Sequence, residues 1–509
     1  MDRRLRLIRG SEQFAEAIVE RLDNLTIEVR ISDAHLWHRQ VLGIALVDLL
    51  GRLFPRLVFT GVDTAAHPHL PPGPADLRLR LHEAHSHGIG PQEPGEPALV
   101  IGIGSGVADF FCDAAGWQSY LGPTPSELPA DGSADVPVGA VAAACRAAAR
   151  AFAVAMQPFG QVPPALEVVY SSALTYETAG RPMASPELAP PRLILAGLMG
   201  AGSIGGAAAY VWARVPDLAG ALDVIDYQAL EPHNPDRALL ATRAAAEARL
   251  AKVKVASDAL AHHSGLVVRA HQQTLAAWVA NRQREDALPL VLCAFDSVEA
   301  RRELQDSLPL EVINAACGAE RVVVSGHRTG DGPCLYCLYV GDVLDTENIT
   351  FKLIVAATGL PDRTVQGLLE HHVPLTVAHI EQIERRGGLA RGALARYVGH
   401  ELIELYQAEL RYGEAALGRG DDRAAVALPF VTALAGTLLA GEALKAGDAE
   451  YQDYRLGPFV PSRTRYEEDL FVSAATALVT PVARWEGSEC LCRSTRRQRL
   501  LVERYGLAG

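Results

Sequence analysis

Aromatic residues are scarce, at 6% of the chain, and the formal net charge of −13 leaves no basic excess to track a polyphosphate backbone. A nucleic-acid partner is excluded on that ground. No apolar stretch reaches the length of a bilayer span: the longest apolar helical run, Val426 to Ala440, is closed by Gly441 and Glu442. Met1 to Gly10 is basic and has no apolar core of a secretory signal. Eight cysteines in 509 residues are too sparse for a secreted disulfide scaffold. These absences lead us to expect a soluble cytoplasmic protein with neither membrane nor nucleic-acid partner. Disorder is excluded by what is present: 49% hydrophobic residues, 21% charged, and 45 Gly and 31 Pro spread along the chain. At about 150 residues per domain the length corresponds to roughly three compact units.

Breaker clusters cut the first third into alternating strands and helices. LVFTGVD from Leu57 and ALVIGIG from Ala98 read as buried parallel strands, and VGAVAAACRAAARAFAVAM from Val138 as a buried Ala-rich helix. The Pro-rich stretch Thr178 to Arg192 is the best boundary in the chain. A new unit opens at Leu193 with an apolar strand running into Gly200, Gly202 and Gly205 and then a helix. That is the context in which glycines let a backbone approach phosphate at a helix N-terminus. Asp226 follows at the tip of the next strand, placed to accept from ribose hydroxyls. IGIGSG at Ile101 faintly echoes the Gly200 turn and suggests a degenerate repeat. HEAHSHG at His82 is read as a solvated loop, with metal binding as the alternative. The basic segment after Cys492 reads as a terminal helix or a dock for an acidic partner.

Beyond Asp226 come Asn234 and Arg237, then Lys254, then Asp296 and Arg301. Two cations and two polar groups in this order suit a triphosphate better than a hydride carrier, because Arg and Lys neutralise charge that builds as pyrophosphate leaves. Asp296, at a strand's carboxyl end, can hold Mg²⁺. The plain alternative for each cation is a solvated helix face. Cys334-Leu-Tyr-Cys337 and Cys490-Leu-Cys492 form two close pairs. Four thiolates complete a tetrahedral Zn²⁺ shell, which is structural because no position is left for substrate; a redox dithiol or free thiols are the alternatives. Cys112, Cys145, Cys293 and Cys317 sit singly in apolar stretches, as small buried hydrophobes do.

The order GAGSIGG, acid, N-P-D-R, Lys254, FD before Arg301, GPCLYC, the late helix ALPFVTALAGTLLAGEALK and a final Cys pair resembles the ThiF/MoeB and ubiquitin-activating enzyme superfamily, over about Leu193 to Cys492. The resemblance implies an α/β fold of two Rossmann-like ThiF-type adenylation domains, one degenerate. Residues 1–185 would form the inactive domain and 190–509 the active one, with a helical crossover insert at about 340–424 and a zinc site. It implies adenylation of the C-terminal carboxylate of a ubiquitin-like protein by Mg·ATP, with transfer to a conjugating enzyme. Asp226 would bind ribose beside the Gly200, Gly202 and Gly205 turn, Asn234 and Arg237 the phosphates, Lys254 the phosphates or departing pyrophosphate, and Asp296 the magnesium. Lys252 is the less favoured substitute for Lys254. Where the family usually has a second acid two residues after the ribose acid, this chain has Gln228. HLWHRQ resembles the Arg-rich helix that opens family members, so Arg39 would act as an arginine finger in the ATP site. Pairing of chains into a homodimer is left open.

From Leu338 to Leu428 there is neither cysteine nor serine, although thioester-forming members of the superfamily place a catalytic cysteine there. Thr346, Thr350, Thr358, Thr364 and Thr376 are the small nucleophiles of that stretch, and Thr376 reads first as a helix N-cap. Direct transfer of the adenylate to a partner is the favoured outcome; an oxyester, or recruitment of Cys317, are the others. Two further functions stay in view: adenylation of a sulfur-carrier protein or peptide, and a nucleotide-binding scaffold without catalysis.

Overall fold

A computed structural model describes residues 14–506 except 130–135, 161–162, 164, 185, 187, 189–191, 281–287, 319, 329–331, 340–353, 356, 371–372, 388, 407–426, 457–463, 485–489 and 491. Thr346 and Thr350 lie outside the described residues. The chain divides into two compact bodies. Of the described residues, the larger holds those of Glu16–Leu338 and Ala427–Gly509 and the smaller those of Tyr339–Val426.

In the larger body, helix α1 (Ala15–Asn24) leads into β1 (Thr26–Ile31), α2 (Trp37–Leu50), β2 (Arg56–Thr60), α3 (Leu77–Ser86), β3 (Leu99–Ile103), β4 (Phe110–Ala115), β5 (Gln118–Gly122), α4 (Val138–Met156), β6 (Val169–Ser172) and β7 (Thr178–Ala179). These strands make one sheet in the order β2-β1-β3-β4-β5-β6-β7. Its first four strands are parallel and the rest antiparallel. The parallel strands are short apolar runs bounded by breakers, as expected for strands covered on both faces.

After the Pro-rich connection come β8 (Leu193–Met199), α5 (Ser203–Trp212), β9 (Gly220–Ile225), α6 (Arg243–Glu247), α7 (Lys252–Leu260), β10 (Leu266–His271), α8 (Leu275–Ala280), β11 (Leu290–Cys293), α9 (Val298–Asp306), β12 (Glu311–Cys317) and β13 (Arg321–Arg328). The smaller body then contributes α10 (Asp362–Glu370), α11 (Val377–Gly387) and α12 (Leu402–Leu405). They surround an apolar cluster that includes Leu360, Val365, Ile380 and Ile383. Back in the larger body follow α13 (Pro429–Ala446), β14 (Arg465–Asp469), β15 (Leu478–Thr480) and α14 (Thr495–Tyr505). The second sheet runs β10-β9-β8-β11-β12-β13-β14-β15.

Matching β8, β9, β11, β12, β13, β14 and β15 to β1 through β7 gives one strand order for both sheets, with β10 the only strand lacking a counterpart. Helices follow the same rule: α2 succeeds β1 as α5 succeeds β8, and α4 lies between β5 and β6 as α13 lies between β13 and β14. This corrects two expectations. The stretch at Gly104 ends β3 and so corresponds to the end of β11; the counterpart of the Gly200 turn is Ser32–Leu36, which has no glycine. The HLWHRQ helix is therefore the helix after a first strand, not a helix that opens the fold.

Helices α2, α4, α5 and α13 pack on one another between the sheets. Every residue of α13 is buried, which is why its sequence is apolar all round and not amphipathic. Buried ion pairs reinforce the joint. Lys445 Nζ donates to Glu442 Oε1 at 2.7 Å and to the Leu174 carbonyl at 2.9 Å. Arg146 of α4 binds both oxygens of Glu468 of β14 at 2.7 and 2.8 Å. Among the described helices, α4 with its following turn, and not the stretch at Val426, is long and apolar enough to span a membrane, but most of it is buried in the protein's own interior.

Candidate functional site

The carboxyl end of the second sheet carries the glycine turn, and each glycine is needed for a different reason. Gly200 has φ +93°, in the left-handed region that side chains disfavour. A Cβ on Gly205 would lie 1.9 Å from the Gly200 carbonyl oxygen, so helix and turn pack too closely for any other residue. A Cβ on Gly202 would meet nothing within 4 Å. That open face leaves the first N–H groups of α5 accessible, where the helix dipole and unpaired donors favour an anion. Asp226 sits beside this turn, accepting from Ala201 N at 2.9 Å and from Gln228 N at 2.8 Å. The carboxylate thereby pins the tips of β8 and β9 to each other.

Asn234 opens the Asn234–Asp236 turn, and its Oδ1 accepts from Glu231 N of the preceding loop at 2.9 Å. Arg237 follows. Its carbonyl accepts from Thr432 Oγ1 of α13 at 3.0 Å, while its Nε is buried with no hydrogen-bond partner. Arg237, Arg301 and Asp296 all lie close enough to Cys317, at the end of β12, to act on its thiol. Burial pushes that thiol up to about 11, opposed by the two arginines and assisted by Asp296. Asp296 itself is exposed in the loop after β11. Arg301 serves that loop: its guanidinium donates to the Phe295 carbonyl and, at 3.3 Å, to that of Ala315.

Lys254 Nζ pairs with Asp258 at 2.8 Å on an exposed helix face, whereas Lys252 Nζ donates to Gln228 Oε1, next to Asp226. Two residues on a helix are about 200° apart, so one of the pair faces the crevice and the other faces solvent. A backbone bridge between Ala229 and Ala251 sets that register.

Arg39 lies at the end of the first sheet. Its Nη1 donates to the Ser32 carbonyl at 3.1 Å and to Asp33 Oδ2 at 2.6 Å, and its Nη2 to Asp113 Oδ2 at 3.2 Å. Its hydrogen bonds to described residues stay within the first sheet's half. Besides Arg146, an arginine that crosses to the second half is Arg52, which sequence reasoning did not single out. Its guanidinium donates to the carbonyls of Pro235 and Leu239. The available signal was Asp48 four residues earlier, an acid–base pair inside an otherwise apolar helix.

Sγ atoms of Cys334, Cys337, Cys490 and Cys492 converge. Those of Cys334 and Cys337 lie 3.3 and 3.2 Å from that of Cys490, and Cys337 lies 3.8 Å from Cys492. Four sulfurs at about 2.3 Å from one zinc ion would stand about 3.8 Å apart, so the set fits that ion after small adjustments. Among the described residues this is the one group of His, Cys, Asp or Glu gathered closely enough for a metal. The histidine-rich stretch is helix α3, not a loop. His85 is buried near Phe59, and burial lowers its pKa to about 4. In the smaller body Thr376 caps α11, its Oγ1 accepting from His379 N at 3.3 Å. In α14, Leu501 is buried and Arg504 donates to the Ser307 carbonyl at 2.7 Å, so one face of the basic segment is docked.

The ThiF family profile matches residues 195–463. An uncharacterized protein, y4jF, of Sinorhizobium fredii (strain NBRC 101917 / NGR234) is 28% identical over 463 residues, covering 88% of this chain and 84% of the relative. Among solved structures, E. coli MccB with selenomethionine MccA is 12% identical with a TM-score of 0.34, over 57% of this chain and 64% of that one. MccB with ATP is 14% identical with a TM-score of 0.33, over 57% and 64%. The chain thus spans a little under two thirds of these MccB chains. Selenomethionine PaaA is 18% identical with a TM-score of 0.24, over 31% and 52%.

Proposed function

The chain belongs to the ThiF family, and on that footing we propose that it is an ATP-dependent adenylating enzyme for the C-terminal carboxylate of a ubiquitin-like protein. The observation that carries the reading is the open glycine turn of the second sheet with the Asp226 carboxylate hydrogen-bonded beside it. A carboxylate oxygen of the carrier attacks the α-phosphorus of ATP, the bond to the β-phosphate oxygen breaks, and pyrophosphate leaves. The backbone at Gly202 and the N-terminus of α5 cradle phosphate, and Asp226 accepts from ribose. Asn234 shapes the turn that presents Arg237 to the phosphates. Lys252, in place of Lys254, faces the same crevice. Asp296 would hold Mg²⁺, which supplies charge neutralisation at the leaving group.

The first sheet is the degenerate domain in this reading, with Arg39 retained inside it. The adenylate passes directly to a nucleophile of a partner such as a conjugating enzyme, because the stretch from Leu338 to Leu428 holds no cysteine. The four-thiol cluster takes a structural zinc ion. We expect one zinc per chain by elemental analysis and its loss in Cys490→Ser, with a lowered melting temperature. The cysteines held as thiols suit a cytoplasmic setting.

Pyrophosphate exchange into ATP that requires a ubiquitin-like protein and disappears in Asp296→Ala is the expected result. Exchange with short peptides and none with a folded ubiquitin-like protein would move the substrate to a peptide. No exchange, with ATP still bound, would leave a nucleotide-binding scaffold.

A further inference from the structure

We propose that Arg52, a residue of the first sheet's half, is the positioning residue for the phosphate-binding turn of the second. The inference rests on the adenylation reading for the identity of the anion, but its geometry stands apart from it. Arg52 at the end of α2 is fully buried, and so, nearly, is Asp48, whose Oδ1 accepts from Arg52 Nη2 at 2.8 Å. Arg52 Nη1 donates to the Pro235 carbonyl and Nη2 also to that of Leu239, the carbonyls on either side of Arg237, while its Nε is buried without a partner. The Arg237 carbonyl is held in turn by Thr432. Three consecutive odd-numbered carbonyls of one turn are thus fixed by groups from outside it.

Charge points the same way. Asp48 neutralises Arg52, and burial of the acid is outweighed by Arg52, His87 and Arg214, which keep its carboxyl below the ordinary range. Arg52 therefore offers no net charge to a phosphate; its effect is to hold the backbone from which Arg237 projects. Burying an arginine is costly unless its donors are satisfied, and here two of the three acceptors, beside Asp48, are the carbonyls of Pro235 and Leu239. A one-ångström drift of a charge-bearing turn is enough to lower the rate by orders of magnitude.

The test compares the full chain with Arg52→Met, Arg52→Lys and the double variant Asp48→Asn/Arg52→Met, which removes both charges. In the double variant we expect amide exchange to rise across residues 233–240 and not in β8 or β11. The KM for ATP should rise about tenfold with the KM for the carrier unchanged. Arg52→Lys, which reaches fewer acceptors, should fall between. If the double variant keeps wild-type protection at 233–240, or wild-type KM for ATP, the proposal is overturned. Direct titration with ATP separates the premises: a wild-type chain that binds no ATP removes the adenylation reading and with it the phosphate role of the turn. The exchange pattern alone then decides whether Arg52 holds the segment.

Discussion

The two sheets share a strand order yet treat the crevice at their carboxyl ends in opposite ways. In the first, the turn after β1 is Ser-Asp-Ala-His-Leu, and Asp33 occupies the left-handed region at φ +45°. Arg39 lies across this turn between Asp33 and Asp113. A Cβ on Gly104 would come within 2.3 Å of Ser32 Oγ and 2.5 Å of Arg39 Nη1, so the space is filled. In the second, Gly202 faces open space. One scaffold thus has the end of its first sheet filled by a cation paired with two acids and the end of its second left open at the glycine turn. A cation paired with two acids has little left to give a phosphate.

The sharpest way to break this contrast is at the glycines. Gly205→Ala puts a methyl against the Gly200 carbonyl, and we expect the turn and the packing of α5 to be lost, with no cooperative melting of the second half and no ATP binding. Gly202→Ala should melt near wild type and weaken ATP binding about tenfold by crowding the open face. Equal damage from both would mean that Gly202 is also structural.

Next in size is the filled crevice. Arg39→Met leaves Asp113 buried and short of a partner and should cost about 3–5 kcal/mol in thermal or chemical unfolding. Arg39→Met/Asp113→Asn should recover most of that with ATP binding intact. A stable double variant that loses pyrophosphate exchange a hundredfold would show that Arg39 serves the second site.

Acid should act on the first half through His85. Its folded pKa, about 4, lies below the unfolded value near 6.5, so the unfolded chain takes up the proton first. Stability is then full above about pH 6.5 and falls as pH drops toward 4, by roughly 2–3 kcal/mol in total. His85→Gln should flatten that part of the unfolding profile. The smallest contrast is between the lysines: Lys252→Ala should slow exchange about tenfold, one lost charge-assisted contact, and Lys254→Ala less than twofold, since an exposed pair contributes little.

Much of the second half was legible because its chemistry is written in local patterns. Strand, glycine turn and helix appear in order, Asp226 ends the next strand, and an apolar segment such as α13 can only be a core helix. The cysteine pairs also read correctly as one group, since thiols spaced that closely converge readily. What escaped depended on contacts between distant segments. The turn after β1 has no glycine, so its kinship with the Gly200 turn shows only in strand order, and the echo at Gly104 pointed to the wrong strand. Choosing between Lys252 and Lys254 required the bridge that sets the register of α7. Helix α3 was missed because of its two histidines His85 is buried and His82 exposed, so they make no visible stripe. Arg52 looks like any arginine near a helix end until Pro235 and Leu239 are seen around it.

The cysteine cluster has a consequence for how the molecule is made. Cys334 and Cys337 emerge well before Cys490 and Cys492, and β14, β15 and α14 also follow them. The first sheet's strands are complete by Ala179 and can pair while translation continues. The second waits for α13 and for its last two strands. The four thiols therefore cannot close until Cys492 has been made, long after the first sheet is able to pair.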